Sequence, residues 1–171
     1  MLNVKVYIKI KDKNLFKRLS KQKAGVDVGW FENQKYEAID KPFYSNVAKP
    51  DGKPRRYSAS KEKYVATVAM ANEYGVPEKK IPPRPFMERT AEGNSQKWKK
   101  FIKNDIANSK KPDLQNTLNK LTAKVINDIQ TTINELMYPP NAESTIRKKG
   151  FNNPLVDTGT MRDTVTWRES E

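Results

Sequence analysis

The chain contains no cysteine and no histidine. Without thiols there are no disulfides and no thiolate nucleophile. Without imidazole there is no Ser-His-Asp or Cys-His catalysis, and most zinc and iron sites lose their usual ligands. A carboxylate-only magnesium or calcium site survives that filter, but no D-x-D-x-D-G loop of the calcium-binding type is present. No run approaches the roughly 18 apolar residues that a membrane span needs. The opening stretch, MLNVKVYIKIKDK, alternates apolar with polar residues where a signal peptide would be continuously apolar, which predicts synthesis without secretion. An enzyme of this composition would have to rely on carboxylates, lysine or tyrosine. No catalytic residue, metal ligand or cofactor site is expected.

What is abundant is positive charge. The 171 residues carry a formal net charge of +13, with 31% charged and 36% hydrophobic residues. That balance predicts a modest core with long solvated helices and loops, in one domain over residues 1–171. It favours an anionic partner such as nucleic acid, and equally suits an assembly subunit that must stay soluble or face an acidic protein ring.

Apolar periodicity sets out the elements. Val4, Val6, Ile8 and Ile10 alternate with polar residues as in a half-buried strand, and Val26, Val28 and Trp30 do so again in a second strand running through Phe31. Asp12 can cap a short helix over residues 13–21. Residues 33–59 hold no sustained period and read as a long basic surface loop or an extended hairpin arm. Ser60 is the expected N-cap of a helix over 61–74, stopped by Gly75. Four prolines between Val76 and Phe86 predict an extended path, after which Pro85 opens a helix that weakens at Gly93. Asp113 starts what reads as the longest helix, with Leu114, Leu118, Leu121, Val125, Ile129, Ile133 and Leu136 at intervals of three and four. A short turn over Thr145–Lys149, a brief turn or helix near Met161 and a strand at 164–168 complete the chain. The expected fold class is α+β: a small twisted, mostly antiparallel sheet of three or four strands packed against two long helices, with an extended loop or arm.

Two sequence blocks carry a resemblance. The first is Ala71-Asn72-Glu73-Tyr74-Gly75, followed by Ile81-Pro82-Pro83-Arg84-Pro85-Phe86-Met87. The second is Tyr138-Pro139-Pro140-Asn141 and Thr145–Gly150, followed by Pro154-Leu155-Val156-Asp157-Thr158-Gly159-Thr160-Met161-Arg162. In this order and spacing they resemble the neck and tail-completion proteins of long-tailed bacteriophages, the virion morphogenesis or lambda Z-like family. The likeness covers roughly residues 60–168. It implies structural work: a subunit of a ring at the head-tail junction, in the virion neck or upper tail, assembled in the host cytoplasm. Its implied partners are other copies of itself, head-completion, adaptor or stopper proteins and tail proteins, with no membrane and no cofactor. Pro82, Pro83, Arg84, Pro85, Phe86, Pro140, Asp157, Thr158, Gly159, Met161 and Arg162 are the motif residues expected to serve structure or interface.

Sharper readings of the same residues are less economical. Leu155–Thr160 resembles an aspartic-protease loop, but that chemistry needs a second carboxylate and a long all-β segment after the aspartate. Only twelve residues follow Gly159. The plainer reading has Asp157 or Thr158 capping the next turn, Gly159 permitting a tight backbone, and Leu155, Val156 and Met161 packing inward. Pro82–Pro85 could be an SH3-type ligand, but lies between two helices, where a rigid connector is expected. Lys49, Lys53, Arg55 and Arg56, with Tyr57 nearby, are the candidate DNA-proximal residues of the central loop, and Lys97–Lys111 is a second lysine-rich stretch. Mobile cations of this kind suit non-specific contact with phage DNA in the channel, and a lysine-rich helix face equally reads as plain solvated surface; no helix-turn-helix, zinc finger or RNA-binding aromatic motif accompanies them to suggest sequence-specific binding. A non-specific DNA-binding protein of a phage or mobile element is the alternative function.

Overall fold

The structure is a computed structural model that describes residues 19, 22, 24–36, 43–48, 54–57 and 63–170. The strand expected at 3–10 and most of the helix expected at 13–21 lie outside these residues; Leu19 is helical and buried. The architecture is α+β, with two long packed helices and small two-stranded antiparallel sheets.

Strand β1 (Val26–Gly29) pairs with the last strand, β6 (Thr166–Glu169), so that Val28 faces Trp167 across the ladder. Val28 and Val165 are buried and Trp167 packs against the same core, as their alternation requires. The segment 33–59 follows the arm reading in part. β2 (Lys35–Tyr36) pairs with β5 (Lys63–Tyr64), and β3 (Phe43–Ala48) pairs with β4 (Pro54–Tyr57) across a register shift. The described strands thus fall into three separate pairs rather than one sheet of three or four.

Helix α1 (Val65–Tyr74) begins later than Ser60 suggests. The chain before it is taken by β5, and the Val65 amide donates to the Gln34 carbonyl at 2.9 Å, so the helix enters directly from strand pairing without a side-chain cap. Gly75 ends it, as expected. The proline-rich connector is not extended throughout: a 3-10 turn at Pro77–Lys79 is closed by bridging of Val76 and Ile81, and the chain turns again at Pro85, where the Phe86 amide donates to the Arg84 carbonyl at 2.7 Å.

Helices α2 (Phe86–Asn108) and α3 (Leu114–Glu135) form an antiparallel pair. α2 passes through Gly93 without a break, and with 23 residues it slightly exceeds α3 with 22. Each buries a stripe at spacings of three and four: Phe86, Met87 and Thr90, then Trp98, Ile102 and Ile106 on α2, and Thr117, Leu121, Thr122, Val125, Ile129 and Ile133 on α3. Three polar links set their register. The Thr90 hydroxyl donates to Thr132 Oγ1 at 2.7 Å, the Trp98 indole to Asp128 Oδ2 at 2.7 Å, and the Thr117 hydroxyl to Asp105 Oδ2 at 2.6 Å. The Thr117 bond, aided by Lys120 at 3.0 Å, holds the Asp105 carboxyl below the usual range. Asp113 caps α3 by accepting from the Asn116 amide at 3.1 Å. Two short helices, α4 (Glu143–Lys149) and α5 (Thr160–Asp163), follow; α4 stops at Gly150, whose φ is 81°.

The core stripe generates a stability test. Ile129 is fully buried, so Ile129→Ala should cost about 3 to 4 kcal/mol, read as a lowered denaturation midpoint. Gly93 is exposed in mid-helix and an added Cβ would meet nothing within 4 Å. Gly93→Ala should therefore stabilise by roughly 0.5 to 1 kcal/mol.

Candidate functional site

The motif residues of the first block converge on Arg84. Its side chain lies only 4% exposed, where the end of α1 meets the chain leaving α3. The guanidinium donates through Nε to the Pro139 carbonyl at 2.9 Å, through Nη2 to the Pro140 carbonyl at 3.0 Å, and through Nη1 to Asn72 Oδ1 at 3.4 Å. Its backbone amide donates to the Asn72 carbonyl at 2.7 Å. The Tyr138–Pro139 peptide in this corner is cis. These acceptors are neutral oxygens, so burial of the cation pulls its pKa below the ordinary arginine value. The planar fork reaches two successive carbonyls and a side-chain amide at once, a geometry a lysine ammonium does not reproduce.

The neighbouring Glu73 serves the other side of the corner. It is 6% exposed, and its carboxylate accepts from the amides of Met87 at 2.9 Å and Glu88 at 3.1 Å. Those are free N–H groups of the first turn of α2, where Pro85 brings no side-chain cap, so α1 supplies the cap from outside. Burial raises the Glu73 pKa, against the lowering pull of these backbone donors. Gly75 is equally constrained: its φ is 76°, and a Cβ there would lie 2.8 Å from the Pro83 nitrogen and 2.9 Å from the Ile81 carbonyl oxygen. Both obstacles are backbone, so no side chain fits.

Trp30 joins this corner to the last motif. Its ring meets Phe86 edge-on, with centroids 5.7 Å apart and planes at 77°, while its indole N–H donates to the Met161 carbonyl at 2.8 Å. Met161 and Leu155 are buried, Val156 packs against the core, and Gly159 adopts a φ of 87°. Thr158 Oγ1 accepts from the Thr160 amide at 3.3 Å, but α5 takes Gly159 as its N-cap and has no side-chain cap, so neither Asp157 nor Thr158 fills that role. Arg162 forks onto Asp163 at 2.6 and 3.0 Å and reaches Asn134 Oδ1 on α3 at 3.3 Å. Asp157 is exposed, near enough to Tyr36 to add to the effect of burial, and together they push the Tyr36 phenol up to about 12.

Of the expected motif residues, Arg84, Phe86, Gly159 and Met161 are buried; Pro82, Pro85 and Arg162 are half-buried, and Pro83, Pro140, Asp157 and Thr158 exposed. Lys49 and Lys53 lie outside the described residues, and Arg55 and Arg56 are placed by backbone pairing in β4, opposite Ser45 and Tyr44. Trp30, Asn72 and Glu73 escaped notice as individual actors. The period-two pattern marked Trp30 only as a core residue, and the Asn72-Glu73 pair stood inside a motif with no partner visible in the sequence. Among the described residues, no helix is long and apolar enough to cross a membrane, and no cluster of three or more acidic side chains could hold a metal ion. Comparison with models of protein families, with curated proteins and with solved structures finds no match to this chain.

Two outcomes follow from this geometry. Arg84→Lys keeps the charge but loses the fork onto the half-buried Pro139 and exposed Pro140 carbonyls, and should cost about 1.5 to 3 kcal/mol in a denaturant titration. In an alkaline titration followed at 295 nm, Tyr36 should ionise near 12, and Tyr36→Phe should remove that late phase. Because the folded value is raised, stability from this phenol is fully present below its ordinary value near 10 and is lost as pH rises through 12.

Proposed function

We propose that this chain is a non-enzymatic structural protein of a long-tailed bacteriophage virion, a subunit of the head-tail connector ring at the neck, needed for tail completion or head-tail joining. One observation carries this reading. The segments whose residues resemble the neck and tail-completion proteins are far apart in the chain yet share one corner of the fold. Arg84 bonds Pro139 and Pro140, and Trp30 joins Phe86 to Met161.

The surroundings of that corner suit assembly. Tyr74, Met137 and Tyr138 lie within two residues in sequence of Asn72 and Pro139, which Arg84 holds, and they stand 67%, 50% and 73% exposed. Large apolar side chains presented on a rigid support are typical of surfaces that meet another protein. In a ring the contact would be head-to-tail between copies, with adaptor or stopper proteins on one side and tail proteins on the other. The alternative, a non-specific DNA-binding protein of a phage or mobile element, is favoured by the net charge of +13.

Electron microscopy of lysates tests the reading, with the gene disrupted in the phage or prophage that carries it. Filled heads and separate tails accumulating unjoined, or joined particles with defective tails, are expected. Normal infectious particles would refute the neck assignment and put the DNA-binding alternative first.

A further inference from the structure

The half of the α2–α3 hairpin far from the Arg84 corner is chemically one-sided. Residues 93–128 contain eight lysines and three acidic residues, Asp105, Asp113 and Asp128. All three acids are engaged: Asp105 by Thr117 and Lys120, Asp113 in capping α3, and Asp128 by the Trp98 indole. The links Trp98–Asp128 and Asp105–Thr117 fix how the helices lie alongside each other and set Lys100 level with Lys124. On the two helical wheels, Lys97 and Lys100 of α2 and Lys120 and Lys124 of α3 fall on the side opposite the buried stripes, so they share the outer face of the hairpin. Lys103 extends that face, and Lys110 and Lys111 continue it into the turn; all are exposed.

We propose that this face binds the phosphate backbone of duplex DNA without regard to sequence. It goes beyond the neck reading and applies to the free subunit. From Lys97 to Lys110 the surface runs for about 20 Å at 1.5 Å per residue, which matches the axial rise of about six base pairs of duplex. The composition favours nucleic acid over an acidic protein. Protein interfaces centre on aromatic and arginine anchors and are depleted in lysine. Here the exposed cations are all lysines, interspersed with exposed Gln96, Asn104 and Asn108 as neutral donors, and the large exposed hydrophobic residues all lie outside this segment among the described residues.

Fluorescence anisotropy of the full chain with labelled duplexes of about two helical turns, in two unrelated sequences, tests the proposal. The wild type should bind both alike, with affinity falling steeply between about 50 and 200 mM salt. Lys97→Gln, Lys100→Gln, Lys103→Gln and Lys124→Gln combined should weaken binding by about tenfold or more at the low-salt end and flatten the salt slope by about 3 to 4. The same four positions changed to arginine should retain it. Lys49→Gln, Lys53→Gln, Arg55→Gln and Arg56→Gln combined remove equal charge from the arm and should weaken binding less. Should the four-lysine variant misfold by circular dichroism, single Lys100→Gln and Lys124→Gln changes, each losing severalfold, serve instead. The proposal is overturned if the wild type does not bind duplex, if the arm variant loses as much as the helix variant, or if polyglutamate competes better than unlabelled duplex.

Discussion

A buried guanidinium with no formal counter-charge on its bonded oxygens governs this fold. Burying Arg84 is costly unless its donors are satisfied, and the acceptors come from two places that the chain must bring together: the end of α1 and the bend after α3. Several local features follow from that demand. Gly75 must turn sharply so that the connector can fold back past Asn72, and Glu73 is thereby set over the first turn of α2. Removing the guanidinium would leave the Pro139 and Pro140 carbonyls and Asn72 Oδ1 without the donor they share, so the corner is stabilised or lost largely as a unit.

The corner and the lysine face sit at opposite ends of the same two helices. α2 begins at the clasp and ends among lysines, and α3 runs the other way. The hairpin spans about 33 Å at 1.5 Å per residue, and its cross-links at Thr90, Trp98 and Asp105 hold the helices in fixed register along that length. The molecule is therefore polarised, with an apolar, tyrosine-bearing corner at one end and a basic surface at the other. Such a division suits a subunit that contacts protein with one end and a polyanion with the other, in keeping with the proposed place at a junction through which DNA passes.

Where periodicity or a single backbone rule decides, the sequence was readable. The stripe of α3, the Asp113 cap, the stops at Gly75 and Gly150 and the alternation of Val26 and Val28 all reappear, because each depends on neighbours within a few residues. Long-range pairing was not readable. Nothing local says that β1 pairs with β6 at the far end of the chain, or that Lys63–Tyr64 is claimed by Lys35–Tyr36 before the helix can start. Gly93 lowers helix propensity, but the buried stripe on either side of it outweighs that cost and α2 continues. The candidate site was legible as a set of letters, not as a geometry. Arg84 stood in a motif whose partners, Pro139 and Pro140, are more than fifty residues away, and a backbone carbonyl leaves no signature in a sequence.

The central claim is that Arg84 couples the end of α1 to the bend after α3, and amide hydrogen exchange tests it most directly. In the wild type and Arg84→Met, exchange would be followed at Gly75 and Val76, at Met137, Tyr138 and Asn141, and in the middle of α2 and α3. The substitution should speed exchange at the end of α1 and in the bend after α3 together, while Ile102 and Ile129 stay protected. Acceleration at only one end, or none at either, would contradict it.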